Sequence, residues 1–240
     1  MAKPYATALR PYRVAAVKRE HGDAVTVELA ADGHAGLRFE PGQFARLRPA
    51  HCPYGLDDHP FTLSSSADHP HRPAFTVKAL GDFSSSVADL AVGTQVLVDG
   101  PHGEAIDDLH VRGRLLVAAG IGITPAMSVL RTAAGRGDDR PLLLLYGCRR
   151  WADATFREEL AGLELRLPNL RVVIVLSRPE PGWHGERGRI DAALLHRQAP
   201  RDVAAWSALV CGPPAMVADT TAALVRLGMA PAAVQAEGFE

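Results

Sequence analysis

The sequence predicts a two-domain protein, an N-terminal antiparallel β-barrel followed by a doubly wound α/β parallel sheet. Three observations carry this. Residues before about 110 hold short β-type runs closely spaced between turn residues; residues after about 112 alternate apolar strands with helical segments; and Arg114–Arg131 reads as buried strand, glycine turn and helix without a break. A chain of 240 residues is long enough for two such cores. The expected division is 1–109 and 110–240, with the seam near Ile106 to Arg112.

In the first half the β-type runs are Tyr12 to Lys18, Val25 to Ala30, Phe44 to Arg48, Phe61 to Ser64, Phe75 to Lys78 and Gln95 to Val98, each bounded by Gly, Pro, Asp or His-rich turns. Evenly spaced short strands of this kind close into a barrel or sandwich. A helix-like insertion covers Ser84 to Leu90. In the second half the strands are Leu115 to Ala118, Leu142 to Tyr146, Val172 to Leu176, Ala208 to Cys211 and Val234 to Ala236. Helices are expected over 125–134, 155–165, 191–197 and 214–227. This is the βαβ rhythm of a parallel sheet, in which ligands bind beyond the carboxyl ends of the strands. Gly120, Gly147, Ser177 and Cys211 stand at or just past such ends.

A formal net charge of −1, with 26 basic residues scattered among 27 acidic ones, provides no single-sign face for nucleic acid. The apolar stretch Leu115–Leu130 is interrupted by Gly120, Gly122 and Pro125, so no membrane span is expected, and the N-terminus lacks the apolar run of a secretory signal. A cytoplasmic location follows as the expectation. Cys52, Cys148 and Cys211 are far apart and form no Cys-x-x-Cys, which argues for reduced thiols and against zinc or an iron–sulfur cluster held by these residues.

Gly120-Ile121-Gly122-Ile-Thr124-Pro125 has the character of a pyrophosphate loop. Its glycines let backbone N–H groups approach phosphate oxygens, Thr124 suits the helix N-cap, Pro125 suits the first helical position, and the helix N-terminus faces the anion. Other segments are ambiguous alone. His59-Pro60-Phe61-Thr62-Leu-Ser-Ser65 reads as a Pro-containing edge strand, Gly81 to Ser85 as a Ser-capped helix start, Cys211 as a buried small hydrophobe, and Ala236–Glu240 as a polar tail.

Together, and in this order, these motifs resemble the ferredoxin-NADP reductase superfamily from about residue 10 to the C-terminus. Within it they look most like the dehydrogenase domain of transmembrane ferric reductases and NADPH oxidases. The resemblance implies FAD and NADPH or NADH as cofactors. His59, Pro60, Phe61 and Thr62 would form the first flavin motif, with His59 near the pyrophosphate, Phe61 on the isoalloxazine and Thr62 near N5. Here His59 replaces an arginine and Phe61 a tyrosine. Lys78, Gly81, Ser84 and Ser85 would form the second motif, binding the FAD pyrophosphate. Val98-Asp-Gly-Pro-His-Gly103 would be the turn that closes the flavin domain. Gly120, Ile121, Gly122, Thr124 and Pro125 would bind the pyridine nucleotide, with Cys211, Gly212, Pro213 and Met216 beside the nicotinamide. Glu237 and Phe239 would approach the flavin. Thr62, Cys211 and Glu237 are thus implied at the hydride-transfer centre, and no metal is needed.

Ser177-Arg178 and Arg149-Arg150 follow consecutive strands where arginines would receive a 2′-phosphate, which favours NADPH. The resemblance implies hydride transfer from NAD(P)H to FAD, then single electrons to a haem, ferric or iron–sulfur acceptor. The electron acceptor would be a haem membrane domain, placing the chain at the inner face of a membrane through its partner. The alternatives are a free-standing reductase for a ferredoxin or oxygenase, and a flavin- and NADPH-binding regulatory module without turnover.

Overall fold

In this computed structural model residues 10–49, 59–79, 81–105 and 111–238 are described. Cys52, Phe239 and most of the expected seam, 106–110, lie outside the described residues.

The first domain is one six-stranded antiparallel sheet: β1 (Arg10–Arg19), β2 (Ala24–Ala31), β3 (Phe44–Pro49), β4 (His59–Thr62), β5 (Ala74–Lys78) and β6 (Gln95–His102), in the order β4-β3-β6-β1-β2-β5. Alternate residues turn inward, so that Tyr12, Val14, Val27, Leu29, Phe75 and Val96 meet in one core. The sheet curls until its two edges meet at the Leu63–Phe75 bridge, reinforced by Ser64 N–H on the Ala74 carbonyl at 2.8 Å. The expected helix 84–90 is present as α1 (Asp82–Ser86) and a single tight turn over Val87–Asp89.

One expectation here is corrected. Val98–Gly103 does not turn out of the barrel, because residues through His102 continue β6 and pair with β3, Phe44 opposite His102. The register shift between Phe44 and Arg46 takes up the irregularity of Gly100-Pro101, so the ladder survives a residue that has no N–H.

The second domain holds β7 (Gly113–Ala119), β8 (Leu142–Cys148), β9 (Leu170–Leu176), β10 (Glu186–Arg187), β11 (Trp206–Gly212) and β12 (Val234–Gly238). They form one parallel sheet in the order β10-β9-β8-β7-β11-β12. Its helices are α2 (Ile123–Arg136), α3 (Arg157–Arg166), α4 (Ala192–Gln198) and α5 (Pro214–Arg226). Strands of this sheet are buried on both faces. Leu116, Ala118, Leu144 and Tyr146 pack with α2 and α3, whereas Leu115, Val117, Leu143 and Leu145 pack with α4 and α5. That is why β7 and β8 read as continuous apolar runs rather than alternating ones. The edge strand β10 was not expected, being too short to show a period.

The start of α2 also differs from expectation. Gly120–Gly122 forms a tight helical turn that runs directly into α2, so Gly122 occupies the cap position and Thr124 and Pro125 lie inside the first turn. The Thr124 hydroxyl donates to the Ile121 carbonyl at 3.2 Å instead of capping an N–H. The turn begins the helical backbone two residues early, and the cap role passes to a residue with no side chain.

Candidate functional site

Strand order reverses between β7 and β11: the chain advances from β7 through β8 and β9 in one direction, then returns to place β11 on the other side of β7. A crevice opens at such a reversal beyond the carboxyl ends of the two strands. The N-termini of α2 and α5 both meet this crevice, one after Ala119 and the other after Gly212, and their free N–H groups favour an anion. Gly120 has φ +55°, and a Cβ built there would meet nothing within 4 Å, so the backbone is bare toward the crevice. Its carbonyl is held from behind by the hydroxyl of fully buried Tyr146 at 3.1 Å, and that hydroxyl accepts the Thr155 N–H at 3.2 Å.

Cross-strand register places Ala118, Cys211 and Glu237 in one row across β7, β11 and β12. Cys211 is buried, and burial pushes its thiol up to about 12, with the Glu237 charge adding to the effect. Burial also raises the Glu237 carboxyl above its ordinary value. The pair therefore resists ionisation at its strand ends. Gly212 leaves room for Met216, whose Cε lies 2.5 Å from where a glycine Cβ would stand, and Pro213 caps α5.

The two expected flavin motifs begin on the two edge strands of the barrel sheet. β4 and β5 are the two edges of the sheet, and their pairing stops at Leu63–Phe75. Beyond it no ladder pair joins His59–Thr62 to Thr76–Lys78 among the described residues. Thr62 and Phe61 are half-buried, Pro60 is exposed, and Phe61 packs against the barrel core. Lys78 lies close enough to Cys148 for its charge to act on that thiol, and β5 packs against the Gly120–Gly122 turn, so this barrel edge meets the crevice. Gly81 and Ser84 are engaged with each other: the Gly81 N–H donates to Ser84 Oγ at 2.8 Å, and that hydroxyl donates to the Gly81 carbonyl at 3.0 Å. Ser85 is exposed, with its N–H on the Gly81 carbonyl at 2.9 Å.

At the other end of the crevice, the Ser177 N–H donates to the Cys148 carbonyl at 3.0 Å and the Arg178 N–H to the Arg149 carbonyl at 2.8 Å. These bonds gather Arg149, Arg150, Ser177 and Arg178, all exposed, into one rim beyond β8 and β9. None of the ion pairs among the described residues involves Arg149, Arg150 or Arg178. No group of three or more His, Cys, Asp or Glu suited to a metal occurs among the described residues. Among the described residues no helix is long and apolar enough to cross a membrane.

Sequence patterns did not reveal Tyr146, nor the polar face of α2 formed by Ser128, Arg131 and Thr132. Both left a signal: a hydroxyl inside an apolar strand, and three polar residues at i, i+3 and i+4 on a buried helix, each needing a partner.

The buried acids give a pH prediction. Tyr12, Cys148 and Cys211 are each raised, mainly by burial, to about 12 from ordinary values of 10.0 for the phenol and 9.0 for the thiols. Between those values the unfolded chain sheds protons that the folded chain keeps, so stability is intact below pH 9.0 and is lost as pH climbs toward about 12. A urea midpoint that falls across this window is the expected result, and a flat one contradicts the burial of these groups.

Residues 116–222 match the model of the oxidoreductase NAD-binding domain family. The chain is 33% identical over 210 residues to the ferredoxin--NAD(P)(+) reductase component of naphthalene 1,2-dioxygenase/salicylate 5-hydroxylase systems from Ralstonia sp, covering 85% of this chain and 61% of that protein. It therefore spans less than two thirds of that relative. It is 34% identical over 173 residues to ferredoxin--NADP reductase B of Sorangium cellulosum, covering 70% of each. Among solved structures, the flavohem-like FAD/NAD binding domain of nitric oxide dioxygenase from Vibrio cholerae O1 biovar El Tor superposes with a TM-score of 0.85 at 22% identity, over 96% of this chain and 98% of that one.

Proposed function

Because the chain belongs to the ferredoxin-NADP reductase superfamily, we propose that it is a flavin-dependent NAD(P)H oxidoreductase that delivers electrons to a ferredoxin or oxygenase partner. The observation that carries this is the apposition of the barrel's edge strands β4 and β5 to the crevice between β7 and β11. The bare backbone at Gly120 and the two helix N-termini fit a pyrophosphate, and half-buried Thr62 stands on the barrel edge that meets the crevice. Held there, FAD would supply the chemistry of accepting a hydride from NAD(P)H and releasing single electrons.

The chain's own residues bind, orient and exclude water. Gly120, Ile121 and Gly122, with Thr124 and Pro125 in the first turn of α2, would hold the nucleotide phosphates, and Tyr146 fixes that turn from below. Cys211 stays a neutral thiol and occupies a dry strand end beside the nicotinamide position, with Gly212, Pro213 and Met216 forming the wall. Glu237, its carboxyl raised above its ordinary value by burial, stands next to Cys211 in the cross-strand row. On the flavin side Thr62 and Phe61 would face the rings and Lys78 the seam. His59, Gly81, Ser84, Ser85 and Phe239 remain candidates for the FAD phosphates and rings. The Ser84 hydroxyl would have to leave the Gly81 carbonyl to donate to a phosphate.

The named relatives serve ferredoxins and oxygenase systems, which supports a protein acceptor of that kind over the haem membrane domain implied by ferric reductases. The three cysteines of this sequence are too few for the four thiolates of an iron–sulfur cluster, so the acceptor's metal centre is supplied by another polypeptide segment. The test is colour and acceptor choice. The protein loaded with FAD should bleach anaerobically on adding NADPH or NADH and then reduce a ferredoxin faster than a haem membrane domain. A bound flavin that stays oxidised would favour the regulatory-module reading.

The arginine rim favours NADPH. One charge-assisted hydrogen bond to the 2′-phosphate is worth about 1.5–3 kcal/mol, or roughly 10-fold to 150-fold in affinity. Arg178→Asp should raise the KM for NADPH by at least about tenfold and leave that for NADH nearly unchanged. Equal changes with both nucleotides would remove Arg178 from the phosphate position.

A further inference from the structure

We propose that Arg131 is a positioning residue for hydride transfer, through which one helix, α2, sets the spacing between the flavin strand and the nucleotide loop. The proposal rests on the oxidoreductase reading above. Ser128, Arg131 and Thr132 share one face of α2, and all three grip the segment that continues β4. Ser128 Oγ donates to the Ser65 carbonyl at 2.8 Å, Arg131 Nη1 donates to the Ser64 carbonyl at 2.5 Å, and Thr132 Oγ1 accepts the Ala67 N–H at 3.0 Å.

The guanidinium is locked on its other sides. Its Nε and Nη2 each lie 2.7 Å from one oxygen of Glu159, and its Cζ stands 4.8 Å over the Phe156 ring. Glu159 and Phe156 belong to the second domain, whereas Ser64 belongs to the barrel, so Arg131 rivets the domains together. A bidentate pair with Glu159 would suffice for a structural arginine; here the third donor crosses the seam to a backbone carbonyl.

The lever is short at one end and stiff at the other. Ser64 lies two residues beyond Thr62, about 7 Å along an extended chain. Gly122, at the cap of α2, lies nine residues before Arg131, about 14 Å of continuous, stiff helix. Little intervening chain can absorb a shift, so a movement of α2 against Ser64 becomes a movement of the nucleotide loop against Thr62. A misplacement of about 1 Å between reacting centres can slow transfer by roughly 100-fold.

The experiment compares wild type with Arg131→Met, Arg131→Lys and Ser128→Ala, each loaded with FAD and mixed anaerobically with NADPH. For Arg131→Met the limiting rate of flavin bleaching should fall by at least about tenfold, with nucleotide Kd and flavin content within about twofold of wild type. Arg131→Lys, which keeps one charged donor but neither the fork on Glu159 nor the stacking on Phe156, should recover only part of the rate, and Ser128→Ala, which removes one rivet, should lose about two- to fivefold. In the cofactor-free proteins, hydrogen exchange at the Ala67 amide should quicken by about tenfold in Arg131→Met while the amides of β1 stay as in wild type. An unchanged limiting rate with unchanged Ala67 exchange overturns the proposal, as does a loss of rate and flavin together that lysine does not repair. A wild-type protein that holds flavin but is not bleached overturns the oxidoreductase reading and this proposal with it. A bleached wild type with unaltered variants overturns the proposal alone.

Discussion

Gly120→Val is expected to weaken NAD(P)H binding by about 100-fold or more while leaving the flavin bound. Two effects combine. At φ +55° a β-branched residue sits in the left-handed region at a cost of roughly 1–2 kcal/mol, which pushes the turn out of shape. More importantly, the space above Gly120 is empty, with nothing within 4 Å of a Cβ, and valine would fill it with methyl groups where phosphate oxygens must approach. Losing two N–H bonds to a charged phosphate removes about 3–6 kcal/mol, the equivalent of at least two orders of magnitude in affinity. Titration with NADP+ followed by calorimetry measures this directly. Unchanged affinity would show that the pyrophosphate lies elsewhere. Because the side chain would point into open space rather than the core, thermal stability should fall far less than binding.

Gly36→Ala is expected to show the opposite pattern, a large loss of stability with nucleotide binding preserved. Gly36 has φ +86°, and an added Cβ would lie 2.1 Å from the Pro70 carbonyl oxygen, 2.4 Å from its carbon and 2.7 Å from the His71 nitrogen. All are backbone atoms, so no rotamer change relieves the overlap. The same carbonyl accepts the Leu37 N–H at 2.8 Å, and Leu37 is fully buried, so a displacement there opens the barrel core. Left-handed strain of roughly 1–2 kcal/mol and overpacking of roughly 1–3 kcal/mol add to about 2–5 kcal/mol. For a chain of this size about 3 kcal/mol corresponds to a Tm lower by roughly 6–12 °C. A Tm within about 2 °C of wild type would contradict the close approach of the Gly36 and Pro70 backbones.

Periodicity was a good guide where one force dominates. The continuous apolar runs of β7 and β8 announced a sheet buried on both faces, and the spaced short runs before residue 110 announced the barrel. It was a poor guide at irregular backbone. Thr124 and Pro125 look like a cap and a first helical residue, yet the preceding glycines adopt a tight helical turn and move the start of α2 forward. Val98–Gly103 looks like a turn, yet β3 shifts register to keep pairing with it. At Val98–Gly103 the local preference is small, and pairing with the neighbouring strand supplies the larger energy.

From its residues alone, the chain declares two cores, the strand-turn-helix at Gly120 and the order of its motifs, because these depend on neighbours a few positions apart. What folding added is the meeting of distant segments. Cys211 comes to lie between Ala118 and Glu237, the Tyr146 hydroxyl reaches the Gly120 carbonyl, and Arg131 bonds to Ser64 across the seam. Such contacts depend on where a strand is inserted in a sheet and how a helix crosses it. Packing of whole elements decides both, and no period of two or of 3.6 residues encodes either.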